Sequence, residues 1–279
     1  MPAVADTTRQ IVVAVGAAVA IAGAAWGSGA FGGTPIEEAA DGALAADATL
    51  LAPASTAFAI WSVISAGLAL FAVVQALPSR ADVPRYRAIS WWVLASMLLN
   101  AVWIGVVQAD LLWLSPLVLA SLVLVLAKVA ITLVATPAHN GLDVAATDVT
   151  LGLYLGWSTV ATAANLAALA VGSTDATADA GMPWTAIAAG ALGVIAIIAA
   201  RYLRERPGLA IGMGLAMAWG LAWIAVGRAT DSPESLGMMW AAGLAAVVSF
   251  AAPFAAIDFD PARRVASPAP EADPAERVD

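Results

Sequence analysis

The chain has 279 residues, of which 62% are hydrophobic and 11% are charged, and its mean hydropathy is +0.87. A soluble domain would carry roughly twice that charged fraction, and the apolar residues fall in runs long enough to cross a bilayer, so the composition excludes a soluble protein. The net charge of −8, with only 12 dispersed basic residues, excludes a nucleic-acid-binding surface. The absence of cysteine excludes disulfides, thiol catalysis and cysteine-ligated metals.

The hydropathy pattern predicts an all-α polytopic membrane bundle with eight transmembrane helices. A short polar lead over residues 1–9 precedes them. A tail over residues 259–279, rich in proline, alanine and charge, is predicted to be disordered. The predicted spans are 10–32, 53–77, 88–108, 111–135, 148–171, 185–203, 207–227 and 237 to about 259.

The basic residues predict how the helices are oriented, because short cytoplasmic loops carry an excess of Arg and Lys. Arg228 is the only arginine on one side, and the loops of that side are acidic. We therefore expect both termini to be cytoplasmic in a multi-pass protein of a bacterial-type inner (plasma) membrane. The arginines on the other side are Arg9, Arg80, Arg85, Arg87, Arg201, Arg204, Arg206, Arg263, Arg264 and Arg277.

Polar and aromatic residues share one face of the fifth predicted helix. Tyr154, Trp157, Ala161 and Asn165 fall in a narrow stripe when each residue turns the helix by about 100°. Backbone groups of a helix are already paired, so these side chains need partners on neighbouring helices or on a ligand. Asp148, at the predicted start of this helix, is expected to cap its first turn.

Two other predicted helices carry similar groups. In the third, Trp92, Ser96, Asn100 and Trp103 share a face, and the second contains Phe58 and Trp61. Taken singly, an asparagine of this kind is more often interhelical glue, and a tryptophan near a span end is more often an interface anchor.

The combination of these motifs resembles the TspO/MBR family, the translocator proteins also called tryptophan-rich sensory proteins. The third helix matches an L-N-x-x-W signature at Leu99, Asn100 and Trp103, and the fifth matches Y-x-x-W-x-x-x-A-x-x-x-N from Tyr154 to Asn165. The second helix carries a degenerate form of the family segment, with Pro53, Phe58 and Trp61.

The resemblance implies a five-helix bundle over residues 10–171, with an internal pocket for flat apolar ligands such as porphyrin, haem or sterols. Two features depart from the family. The loop over residues 33–52 contains no tryptophan, so the Trp-Pro-rich lid of the pocket is missing, and the spans over 185–258 form an addition to the five helices. The candidate ligand-binding residues are Phe58, Trp61, Trp92, Asn100, Trp103, Tyr154, Trp157 and Asn165.

The function implied is binding of a hydrophobic aromatic, tetrapyrrole-like molecule by a sensor or carrier that is not an enzyme. No H-E-x-x-H or G-x-S-x-G motif occurs, and the single histidine, His139, lies in a predicted loop. The expected partners are the ligand and the lipid bilayer, and a homodimer is a compatible oligomeric state.

Two alternatives stay open. A faint similarity between residues 101–106 and 221–226 would fit a small-molecule transporter built from a 4+4 helix repeat. A structural membrane protein, whose polar stripes pack helices and bind no ligand, is the other.

Overall fold

The computed structural model describes residues 4–29, 32–172 and 182–257. Within these ranges the regular structure is all helical, and eight helices are long and apolar enough to cross a membrane, which confirms the predicted fold class. The predicted tail lies outside the described residues. The helices are α1 Val4–Gly27, α2 Ile60–Ala76 (after a 3₁₀ turn at Ser55–Ala59), α3 Pro84–Gln108, α4 Ser115–Ala135, α5 Gly141–Gly172, α6 Met182–Tyr202, α7 Pro207–Thr230 and α8 Leu236–Ala256.

The first helix begins within the segment predicted to be a polar lead. Asp6 and Arg9 are both buried in α1. Arg87 of α3 donates to the carboxylate of Asp6, and Arg9 donates to Ser90 Oγ at 3.0 Å. Because α3 supplies these partners, polar residues can occupy the first turns of a membrane helix.

The fifth helix also begins earlier than predicted, and the proposed cap at Asp148 is wrong. The N-cap is Asn140, whose side chain accepts from the backbone N–H of Asp143 at 2.9 Å. A π-helical turn at Val144–Val149 then places Asp148 inside the bundle, where it is 2% exposed and forms an ion pair with Arg85. Because this carboxylate pairs with an arginine of α3 inside the bundle, the residue does not mark the helix end.

The first five helices close into a ring. α1 packs against α2 and α3, α4 packs against α3 and α5, and α2 completes the circuit by contacting α5. The remaining helices form a second group on the outside of α5: α7 packs against α5, α8 against α7, and α6 mainly against α8.

Glycines bring the backbones of α5 and α7 into contact. A Cβ atom at Gly152 would lie 2.4 Å from the carbonyl oxygen of Leu209, and one at Gly156 would lie 2.3 Å from that of Met213. Both distances are far below van der Waals contact, so only glycine fits. Helices in lipid associate through such close packing, which here joins the second group to the ring.

One end of the bundle, called the basic end below, is held by buried arginine contacts. It contains the starts of α1, α3, α5 and α7. Arg85 is 1% exposed and, besides its ion pair with Asp148, donates to Thr147 Oγ1 at 2.6 Å and to the carbonyl of Thr136 at the end of α4. From the start of α7, Arg206 donates to two further carbonyls of α4. These contacts join α3, α4, α5 and α7 at the basic end. The opposite end of the bundle carries the acidic loops and is called the acidic end.

Candidate functional site

Two adjacent cavities lie inside the five-helix ring near its acidic end. The larger, of about 420 Å³, is lined by α1, α2, α3 and the connection between α1 and α2. The smaller, of about 40 Å³, lies between that connection, α2, α3, α4 and α5. Phe58, Trp61 and Trp103 line both cavities, so an aromatic wall separates them.

Two rings of this wall, those of Phe58 and Trp61, are fixed by edge-to-face contacts with α5. The ring centroids of Trp61 and Trp157 lie 6.4 Å apart at an interplanar angle of 85°, and those of Phe58 and Trp157 lie 5.9 Å apart at 77°. Trp61 also meets Tyr154 at 5.9 Å and 70°. Aromatic pairs favour this arrangement, which directs the positive ring edge at the negative ring face. The rings of α2 and α5 therefore hold one another in place.

Asn165 joins three helices through hydrogen bonds. Its Oδ1 accepts from Ser115 Oγ of α4 and, at 3.3 Å, from Trp103 Nε1 of α3. Trp103 Nε1 also donates to Ser115 Oγ at 2.8 Å, and Asn165 Nδ2 donates to the carbonyl of Ala161. Ser115, which the sequence did not single out, is thus part of the site. Asn165 lines the smaller cavity, but its oxygen is occupied by protein donors.

Asn100 is in the opposite situation. It is 7% exposed and lines the larger cavity, yet its Oδ1 has no hydrogen-bond partner. An unsatisfied buried polar atom costs about 1–3 kcal/mol, so native structures seldom retain one without a reason. A ligand in the cavity would supply the missing donor.

The structure brings seven of the eight predicted site residues to this region. Tyr154 lines neither cavity; it is fully buried behind the wall, and its hydroxyl donates to the carbonyl of Ser96 at 3.0 Å. Trp92 is the exception, because it is 43% exposed on the outside of α3. Trp92 and Asn100 lie about two helical turns apart and only approximately on the same face. The neighbouring helices cover Asn100 and leave Trp92 exposed.

The connection between α1 and α2 covers the cavities, although it lacks tryptophan. We call its residues 32–54 the lid loop. Pro35, Ile36 and Glu37 line the larger cavity, and Leu44 and Thr49 line the smaller one. The Trp-Pro-rich lid is missing from this loop, as its sequence indicates, but the pocket is nevertheless covered. Aliphatic side chains such as those of Ile36 and Leu44 cover it instead.

The lid loop is tied to α7, outside the ring. Arg228 is 1% exposed and donates to the carbonyls of Thr49 at 2.9 Å and Ala46 at 2.6 Å. The N–H of Ala54 donates to the carbonyl of Trp223 at 3.2 Å. Arg228, the single arginine of the acidic side, thus serves the loop rather than the membrane interface.

The first end of the loop is tied to α3. Gln108 Nε2 donates to the carbonyls of Gly27 and Thr34, each at 2.8 Å. The lid loop is therefore fixed at both ends, by α3 on one side and by α7 on the other.

The fold and this site define a class: a polytopic helical membrane protein with an aromatic-walled cavity inside a five-helix ring. A family model described as TSPO-like protein matches residues 10–254. The chain belongs to this family, which confirms the resemblance drawn from the sequence motifs. The match includes α6, α7 and most of α8, so it extends well beyond residues 10–171. Neither the curated proteins nor the solved structures gave a match.

Proposed function

We propose that the protein binds a flat, apolar aromatic molecule, of tetrapyrrole type, in the larger cavity and acts as a sensor or carrier in a bacterial-type inner membrane. The observation that carries this proposal is the cavity of about 420 Å³ with its aromatic wall and one unpartnered amide. Small-molecule sites in proteins commonly enclose roughly 300–1,000 Å³ and combine an apolar lining with a few placed polar groups.

The lining supports binding of an apolar aromatic molecule. Trp61 and Trp103 offer ring faces and edges for stacking, and Asn100 offers a hydrogen-bond acceptor. Among the described residues, no group of three or more His, Cys, Asp or Glu side chains is placed to hold a metal ion. A ligand would thus be held by apolar burial, ring contacts and a few polar groups, Asn100 among them.

A titration of the purified protein with protoporphyrin, followed by the porphyrin's own absorbance, tests the proposal. Trp61→Phe should weaken binding about fivefold, because an aromatic contact of roughly 1 kcal/mol is lost. Trp92→Phe removes the same chemical group from the outer face of α3 and is the matched control. Equal affinities of the two variants would place the ligand elsewhere, and no binding by the wild type would favour the structural alternative.

Uptake of the ligand into proteoliposomes would separate a carrier from a sensor. A carrier moves the ligand across the bilayer, whereas a sensor binds it without net transport.

A transporter with a 4+4 repeat remains the second candidate, because one packing feature favours it. α7 packs between α5 and α8 in the way that α3 packs between α1 and α4. The parallel stops there, since α2 packs against α1 and α5 while α6 packs mainly against α8. If the protein transported a substrate whose uptake is not inhibited by porphyrin, this candidate would be favoured over the first.

A further inference from the structure

We propose that the natural ligand presents a neutral or cationic, hydrogen-bond-donating group to the lid loop and carries no carboxylate there. This inference rests on the proposed function and narrows its ligand class. It comes from the charge and hydrogen-bonding character of the larger cavity, which differ from what an anionic ligand requires.

The polar lining of the larger cavity supplies acceptors and one acid. Among its described residues, Glu37 is the one with an ionisable side chain, and it lies in the lid loop. Asn100 contributes the unpartnered oxygen, and Ser28, Ser62 and Ser65 contribute hydroxyl groups. No Lys, Arg or His belongs to the described lining of either cavity.

The surroundings of Glu37 add to this charge. The lid loop also contains Glu38, Asp41 and Asp47, and it contains no Lys or Arg. Arg228, which contacts the loop, is 1% exposed, directs its guanidinium at backbone carbonyls and interacts electrostatically with Asp231 and Asp47, not with Glu37. A ligand arriving from this side therefore meets a negative field that attracts cations and repels anions.

A carboxylate placed in this cavity would be costly. It would lose water, find no cation within the described lining, and face the side chain of Glu37. A neutral or cationic donor would instead pair with Glu37 or with the oxygen of Asn100. At an effective dielectric constant of about 20, repulsion between two like charges about 10 Å apart weakens binding on the order of tenfold relative to an uncharged ligand.

Three porphyrins with the same ring and different side groups test the inference. They are protoporphyrin with its two propionates, its dimethyl ester, and a cationic derivative in which each propionate is coupled to an aminoethyl group. In the wild-type protein, the cationic derivative should bind most tightly, because it adds N–H donors and the opposite charge, and the uncharged ester should bind on the order of tenfold more tightly than the dicarboxylate. Glu37→Gln should reduce that ratio to about two to three.

Glu38→Gln is the matched control, because Glu38 is an exposed neighbour that lines neither cavity and its loss changes the net charge equally. Partitioning of each porphyrin into detergent is the same for all variants, so the change in ratio isolates Glu37. Tighter binding of the dicarboxylate, or the same ratio in Glu37→Gln and the wild type, would overturn this inference and leave the proposed function standing. Failure of all three porphyrins to bind would overturn both.

Discussion

The two asparagines of the site should respond to the same substitution in opposite ways. Asn165→Leu and Asn100→Leu each replace an amide by an apolar group of similar size. Asn165 is bonded to α3, α4 and its own helix, whereas the oxygen of Asn100 has no protein partner. One substitution therefore removes contacts that hold the ring together, and the other removes an oxygen that no protein group uses.

The contacts set the size of each effect. Interhelical hydrogen bonds in membranes contribute about 0.6 kcal/mol on average, so losing the two that reach Asn165 should lower the free energy of unfolding by about 1–2 kcal/mol, including the unpaired donor left at Ser115. Asn100→Leu should leave stability unchanged or raise it by up to about 1–2 kcal/mol, because an unsatisfied buried oxygen is removed. Its affinity for protoporphyrin should fall roughly 2- to 12-fold, the range for one lost hydrogen bond of about 0.5–1.5 kcal/mol.

Unfolding by SDS in mixed micelles, followed by far-UV circular dichroism, gives the stability change, and porphyrin titration of the folded variants gives the affinity. The two measurements together separate a structural role from a binding role. If Asn100→Leu destabilises the protein as much as Asn165→Leu does and leaves affinity unchanged, the assignment of Asn100 to the ligand is refuted.

Three further outcomes follow from the packing. Asp148→Asn leaves Arg85 buried without its carboxylate and should destabilise the bundle by about 3 kcal/mol in SDS unfolding; a loss below about 1 kcal/mol would contradict the role of the ion pair. Arg228→Gln should speed backbone hydrogen exchange in the lid loop and leave α1 to α5 unchanged, and unaltered loop exchange would mean that other contacts hold it. Gly152→Ala should cost about 1–3 kcal/mol because the α7 backbone must move, whereas Gly190→Ala, with open space beside it, should be neutral or slightly stabilising; similar values for both would refute the close packing.

The polar and aromatic face of α5 could be predicted because helical geometry depends on local sequence. Residues 154, 157, 161 and 165 lie on one side of any regular helix, and lipid offers no partner for a clustered hydroxyl, indole and amide. The number of helices followed from their length and hydropathy for the same local reason. Both predictions needed no knowledge of how the helices pack.

Predictions that depended on packing were wrong or incomplete. Asp148 looked like a helix cap because its partner, Arg85, lies 63 residues away in the chain and no pattern links the two. Trp92 lies on approximately the same face as Asn100. The packing of α1 and α4 on α3 determines how much of that face is buried, and Trp92 remains exposed. Ser115 was overlooked because its partners, Trp103 and Asn165, lie on other helices.

The contacts between α7 and the lid loop indicate the role of the second helix group. α7 is not part of the ring, and the described cavity lining includes none of its residues. It nevertheless accepts a hydrogen bond from the lid loop at Trp223 and donates two through Arg228, so a change in its position would reach the cavity through that loop. Glycine packing fixes α7 against α5, and the rings of α5 support the aromatic wall. Both the aromatic wall and the lid loop are therefore positioned by contacts with α7. The lid loop has neither tryptophan nor a proline-rich turn to stiffen it. It can keep its shape because its contacts with α7 hold it in place.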